Sequence, residues 1–288
     1  MNRLAAAPAA LALIAGLAAC DPPRTSPPPP EATSAQDTAP RGTSTPNAKA
    51  QADTTGPLTF KQSDPAAEVA LTLPAKISPY PALRAKLYDR EVALLKAFAA
   101  TAEADRKATA GQFPWRQYAS QRQWFLTTVT PSLLGLRGMW YDYTGGAHPN
   151  HGAATLLWDT QKSAEIQPAA LFRPGADMTV LDKSICEAVD AAKRKRGGVP
   201  FDAMFSCPKW TETTLVLTPS TLSGKVGGLT VLIDPYVVGP YAEGDYEITI
   251  PLSAFQTLLA PNHAEAFAGS PKSSGNPEGW PTTRMDVK

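Results

Sequence analysis

Residues 141–152, YDYTGGAHPNHG, concentrate more chemically capable side chains than any other dozen in this chain. His148 and His151, two of its three histidines, stand close together with Asp142 nearby. Imidazoles ligate zinc or carry protons near neutral pH. Two chemistries therefore present themselves: a metal site, or general acid–base catalysis by His148 with a carboxylate such as Asp142. The spacing speaks against the first. A His-x-x-His pair aims both rings at one ion mainly from a helix, and Gly145, Gly146 and Pro149 forbid a helix here. The remaining histidine, His263, lies far along the chain. For the second, no nucleophile or further carboxylate stands locally beside His148. The chain also lacks G-x-S-x-G, H-E-x-x-H, a P-loop and a dinucleotide-binding G-x-G-x-x-G. The sequence thus assigns no catalytic residue, no metal ligand and no cofactor.

A different reading follows from the same letters. Gly145 and Gly146 open backbone conformations closed to other residues, Pro149 fixes its own φ, and Asn150 favours a turn. Thr144 and His148 carry side chains able to bond the loop backbone. The stretch is then a shaped hairpin connection between two apolar runs, and Tyr141 and Tyr143 are of the amphipathic type that recognition surfaces use. A second aromatic turn occurs at residues 237–246, VVGPYAEGDY, where Gly239, Pro240 and Gly244 punctuate the chain around Tyr241 and Tyr246, with Tyr236 just before. Rings beside exposed backbone suit protein or sugar recognition, and tyrosines in such runs equally serve to cap a core. The candidate ligand-binding residues are Tyr143, His148, Asn150, Tyr236, Pro240 and Tyr241. The sequence leaves open whether the two turns meet on one surface.

Both turns need a sheet to hold them. Residues 58–63 and 67–74 read as short strands, and from Pro81 the period becomes helical. Tyr80, Leu83, Leu87, Leu94 and Phe98 fall near one face of that helix, which is expected to end near Lys107. Residues 123–131, 133–143 and 153–159 read as strands, followed by a turn at 160–163, a loop at 173–177 and a helix over 178–195. Three more strands are expected at 213–219, 229–236 and 246–251, then a short helix presenting Leu252, Phe255, Leu258 and Leu259. Strands interspersed with two or three helices and joined by short connections indicate an α+β fold with a mostly antiparallel sheet. The basic run KRKR, residues 193–196, reads as a solvated helix end favoured by the helix dipole.

The two turns, in this order and spacing, resemble a known signature. YDYTGGAHPN followed by LLWDTQKSAEIQPAALF, and later LIDPYVVGPYAEGDYEITIPLSAFQTLL, are similar to two blocks of the bacterial domain of unknown function 3298. The motif of the second block falls on Pro240, Tyr241, Ala242 and Gly244. The likeness covers residues 141–260, and the preceding region resembles the companion domain 4163 less distinctly. The resemblance implies an N-terminal subdomain over 58–140 and a 3298-like domain over 141–267. Such a pair occurs in the extracytoplasmic part of the anti-sigma factor RsiV, where it is associated with sensing lysozyme, and in the peptidoglycan deacetylase PdaC. This chain shows no recognisable deacetylase module, sigma-binding segment or transmembrane helix, so neither activity carries over. The resemblance implies a non-catalytic envelope module that binds a protein or a glycan.

The rest of the chain supplies a location. Residues 1–19 have the short basic start and apolar run of an export signal, ending in LAAC, similar to a lipobox with Cys20 as the lipidated residue. Residues 20–57 then form a lipid anchor and a tether: positions 21–57 hold nine prolines and no Leu, Ile, Val, Phe, Tyr, Trp or Met, a composition with nothing to bury. Residues 268–288 read as a mobile tail. Of 27 Lys and Arg, the signal removes Arg3, leaving 26 against 26 Asp and Glu, a balance that argues against a nucleic-acid partner. In an oxidising compartment Cys186 and Cys207 are expected to pair. These readings lead to a membrane-anchored envelope lipoprotein facing the periplasm, with inner or outer membrane undecided. Its module is expected to bind a lysozyme-like protein or peptidoglycan. The alternative is a glycan-modifying hydrolase of the envelope using His148 with a carboxylate.

Overall fold

The computed structural model describes residues 56–202 and 204–272. The expected export signal, Cys20, the tether up to residue 55 and residues 273–288 of the expected tail lie outside the described residues.

The chain opens with an antiparallel pair, β1 (Leu58–Ser63) and β2 (Ala67–Leu73), whose alternation turns Val69, Leu71 and Leu73 inward. Helix α1 (Pro81–Ala108) begins on a proline, where no amide partner is needed, and ends in Arg106 and Lys107 near the negative end of its dipole. It carries the chain back across the sheet, so β3 (Tyr118–Val129) lies parallel to β2, as a helical crossover allows. β4 (Leu133–Tyr143), β5 (Asn150–Asp159) and the short β6 (Ala164–Ile166) then add antiparallel neighbours, completing a six-stranded sheet in sequence order. Helix α2 (Thr179–Arg196) precedes a second, antiparallel sheet of β7 (Thr214–Pro219), β8 (Val226–Ile233) and β9 (Tyr246–Pro251). A single short turn of helix, α3 (Pro261–Ala264), follows. The α+β class and the mostly antiparallel pairing agree with the sequence reading.

Two cores result. One face of the large sheet sends Trp124, Leu134, Leu136, Leu156 and Trp158 against Leu83, Leu87 and Leu95 of α1. The opposite face sends Leu133 and Leu157 into a second core shared with α2 and the small sheet. Each fully buried leucine is worth about 2 kcal/mol by transfer. Strand β4 thus serves both cores by strict alternation. The boundary expected between residues 140 and 141 falls inside β4, and the described residues fall within a single compact unit. Thr128 Oγ1 donates to the Leu217 carbonyl at 2.8 Å, and Arg137 pairs with Glu247 at 2.9 Å, tying the two sheets together.

Several elements differ from expectation for identifiable reasons. The α1 stripe follows the i+4 ridge Leu83, Leu87, Glu91, Leu95 and Ala99, which leaves Leu94 off the sheet and 52% exposed. β3 and β5 start earlier than their apolar residues suggest, because Tyr118–Arg122 and Asn150–His151 are held by ladder bonds to partners rather than by burial. After Pro251 the chain forms two 3-10 turns, Leu252–Ala254 and Gln256–Leu258, that bury Phe255 and Leu258, in place of one helix. Of the expected tail, residues 268–272 are held in place: Ala268 donates to Val226, Thr221 to Ser270 and Lys272 to Pro219.

Cys186 on α2 and Cys207 are joined in a disulfide, 21 residues apart in sequence. Replacing both by alanine is expected to lower unfolding free energy by about 3 kcal/mol on the chain-entropy estimate. Urea denaturation with and without reductant checks it, and reductant should leave the double variant unaffected.

Candidate functional site

The β4–β5 hairpin presents the first signature turn. Asp142 pairs across the ladder with Asn150, and the intervening loop bends at Gly145, whose φ of +80° is the left-handed value glycine tolerates. Gly146 has no such φ; one glycine suffices. Asp142 is occupied elsewhere: it accepts from Ser120 Oγ at 2.7 Å and receives a bidentate contact from Arg122 at 2.8 and 3.1 Å. His148 directs Nδ1 at the Pro149 carbonyl, 2.9 Å away, and a carbonyl can only accept, so Nδ1 carries the proton. None of the described hydrogen bonds joins His148 to Asp142, so the acid–base pair considered from sequence is not assembled.

The second signature turn comes to the first. Tyr241, in the 3-10 turn Tyr241–Glu243 after Pro240, stacks its ring on His148 with centroids 4.0 Å apart and planes 21° from parallel. Its hydroxyl donates to the Pro149 carbonyl at 2.8 Å. The His151 ring meets it edge-on at 5.8 Å, and the Tyr236 ring lies 5.5 Å from it, tilted by 39°. Burial, with Tyr236 and Tyr141 beside it, raises the Tyr241 phenol above its ordinary value, so it stays a neutral donor. His148, Tyr236 and Tyr241 of the sequence candidates therefore form one row of rings, with Pro149 and Pro240 beside it. Tyr143 and Asn150 end β4 and begin β5 at its base, and take no part in the described ring contacts. Tyr236 is 55% exposed and has φ +72°, a left-handed conformation costing a bulky residue about 1 kcal/mol or more.

Two carboxylates outside the candidate set fix this arrangement. Glu243, two residues after Tyr241, accepts from Lys193 Nζ at 2.6 Å, from the Tyr246 hydroxyl, and from the Val199 amide at 3.0 Å. Burial opposes its ionised form, but these donors outweigh it and hold the carboxyl below its usual range. Burial and the hydrogen bond to Glu243 push the Tyr246 phenol well above its ordinary value. Lys193 is only 1% exposed, so the basic helix end is not uniformly solvated. Its signal was legible: Leu181, Ile185, Val189 and Lys193 are successive i+4 positions, all buried. Arg196 is engaged as well, over the Tyr246 ring at 4.3 Å.

Asp234 directly follows β8 and begins the turn that carries Tyr236. Its Oδ1 accepts from the Ala153 amide at 2.8 Å, and its carbonyl accepts from Val237. β6 covers only residues 157–159 of β5, so this carboxylate and Thr214, which donates to the Ala153 carbonyl, close the open edge. A Cβ on Gly152 would lie 2.3 Å from Asp234 Oδ2 and 2.6 Å from Trp140, so only glycine permits this approach. Burial first, and the charge of Asp245, raise the Asp234 carboxyl to about 6 despite the Ala153 bond. The sequence hint was an acid directly after an apolar strand, LIDPY. His151 keeps Nε2 buried without a hydrogen-bond partner. Among the described residues no group of three or more His, Cys, Asp or Glu is placed to hold a metal ion.

Opposite pH responses follow. Asp234 binds a proton more tightly folded than unfolded, so its contribution is greatest below about pH 4 and declines as pH rises through about 6. Asp234→Asn should remove that decline, gaining about 1–3 kcal/mol over the parent at pH 8 and nothing at pH 4, by urea titration at both values. Glu243→Gln strips a buried ammonium of its counter-charge and should cost about 3–5 kcal/mol, much of it recovered when Lys193→Met is added.

No family model and no curated protein matches the sequence. Solved structures do. The crystal structure of a DUF3298 family member from Bacteroides fragilis is similar over 73% of this chain and 95% of its own, with 17% identity and a TM-score of 0.50. A DUF3298 family protein from Pseudomonas aeruginosa PAO1 aligns over 74% and 94%, with 18% identity and a TM-score of 0.46. At such identity the likeness is one of fold: the described chain folds like the DUF3298 family protein of Bacteroides fragilis.

Proposed function

We propose that this chain is an envelope lipoprotein, anchored through Cys20 and facing the periplasm, whose folded part is a non-catalytic binding module. Its partner is a lysozyme-like protein or peptidoglycan, engaged by the ring row of His148, Tyr241 and Tyr236. One observation carries the reading. Tyr236 is held exposed in a strained left-handed conformation beside Tyr241. A core residue has no reason to be both, whereas a recognition residue does. The fold shared with the DUF3298 family structure adds context without a ligand. The ring row is rigid where it must be, because Tyr241 is hydrogen-bonded to Pro149 across 92 positions of sequence. Preorganised aromatic surface loses little entropy on binding.

The test is retention. A fragment of residues 56–272, which keeps the described C-terminal strap, is passed over immobilised lysozyme and over isolated murein. Retention on one of them should fall about tenfold or more in Tyr236→Ala, on the scale of an interface hot spot. It should fall further in Tyr241→Ala, which also opens the hairpin contact. No retention of the parent on either matrix sinks the proposal. Murein turnover lost in a folded His148→Ala variant would favour the hydrolase instead.

A further inference from the structure

The His148 side of the ring row sits at one end of the large sheet, and the strand register says what else lies at that end. β2 and β3 run parallel with Ala67 opposite Tyr118, and Ala119 of β3 stands opposite Tyr143 at the close of β4. The β1–β2 turn, the β4–β5 hairpin and the loop 109–117 that returns from α1 to β3 therefore share it. The loop adjoins the hairpin directly. A Cβ on Gly145 would lie 3.5 Å from the Tyr118 ring and 3.7 Å from Arg116 Cβ. Neighbouring strands are spaced about 4.8 Å apart, so from β2 to β5 this end spans about 15 Å.

Loop 109–117 is pinned on both sides of an outward apolar tip. Trp115 stacks on Tyr118 with centroids 4.6 Å apart, and its Nε1 donates to the Ala66 carbonyl at 3.2 Å. Gln117 Nε2 donates to the Asp64 carbonyl at 2.6 Å. On the α1 side the Thr109 amide donates to Asp105 and the Gln112 amide to Thr109. Between these anchors Phe113 is 58% exposed, and Pro114 beside it is exposed as well. A lone exposed phenylalanine would mean little. This one stands on an anchored loop that touches the hairpin of the ring row.

The surroundings favour one kind of occupant. A sugar presents hydroxyls all round, and burying them unpaired is costly, so a glycan site needs unspent polar side chains beside its rings. Here many are spent on the protein itself: Asp142 on Arg122 and Ser120, Gln117 on Asp64, the Tyr241 hydroxyl on Pro149. What faces outward is ring and proline area, with Arg116 and Asn150 also exposed. Aromatic residues and arginine are what protein interfaces concentrate. Loops 109–117, 144–149 and 235–244 together hold on the order of 20–30 residues, the number a protein interface engages on each side. The ring row alone offers three side chains.

We infer that loop 109–117 is the second half of the binding surface, with Phe113 as its anchor, and that the partner is a folded protein spanning this loop and the ring row. The inference rests on the reading of the ring row as a binding surface and narrows its partner to a protein.

The full chain is immobilised, and lysozyme and soluble murein fragments are passed over it in turn. Lysozyme is expected to bind the parent, and to bind Phe113→Ala and Tyr236→Ala about tenfold or more weakly. Leu94→Ala, which truncates a comparably exposed side chain partway along α1, should bind like the parent. Phe113 lies outside both cores, so Phe113→Ala should keep the parent's thermal unfolding midpoint. A photoreactive benzophenone side chain in place of Phe113 should crosslink to bound lysozyme, and one in place of Leu94 should not. Lysozyme bound equally by the parent and Phe113→Ala, with Tyr236→Ala weakened, overturns the inference and leaves the ring row as the whole site. Equal losses in Phe113→Ala and Leu94→Ala reduce the loop to general apolar contact and overturn it too. Binding of murein fragments without lysozyme also overturns it, while the binding module stands. Binding of neither probe removes the proposed function and this inference with it.

Discussion

The Lys193–Glu243 ion pair is the contact on which the arrangement of this protein's exposed turns depends. Burying either charge alone costs several kcal/mol, and their attraction offsets that only if the remaining lone pairs and protons are satisfied. Here they largely are: Lys193 reaches the Val238 carbonyl as well as Glu243, and Glu243 also takes the Tyr246 hydroxyl and the Val199 amide. The pair thus anchors the end of α2, the start of β9 and the 3-10 turn bearing Tyr241 to one point. Tyr241 sits two residues from Glu243, so this anchor sets where its ring can lie, and the His148 loop stacks on it in turn.

A second constraint comes from unfinished pairing in the large sheet. β6 is too short to cover β5, and the uncovered amide and carbonyl of Ala153 would otherwise be left for water or another chain. Asp234 and Thr214, from the small sheet, take them. Two acids thus flank the same surface with contrasting surroundings. Glu243 has a cation and two further donors, so its stabilisation is present above its unfolded value and fades as pH falls through its lowered folded value. Asp234 has one amide and a like charge nearby, so its behaviour is reversed.

The shared sheet explains why the two halves of the chain act as one body. β4 gives Leu134 and Leu136 to the core under α1, and Leu133 to the core under α2. A strand used on both faces cannot belong to one subdomain, which is why a boundary drawn at residue 140 from motif likeness meets continuous backbone pairing. The disulfide extends this unity by joining α2 to the segment that precedes β7.

Much was settled by sequence alone. Hydrophobic alternation located the strands and the 3.6 period located α1 and α2, because burial of one face is written into residue spacing. The cysteine pair followed from their count and the expectation of an oxidising compartment, and the turn at Gly145 from the need for a left-handed residue. Tertiary structure decided the rest. Which charged side chains would be covered depended on where α2 and β8 ended in space, so Lys193 and Asp234 looked like ordinary surface charges among their sequence neighbours. The meeting of His148 with Tyr241 spans 93 positions, and no local spacing encodes a contact between two loops brought together by separate sheets. Local periodicity chooses the elements, whereas long-range charge burial and edge closure choose which side chains end up facing one another.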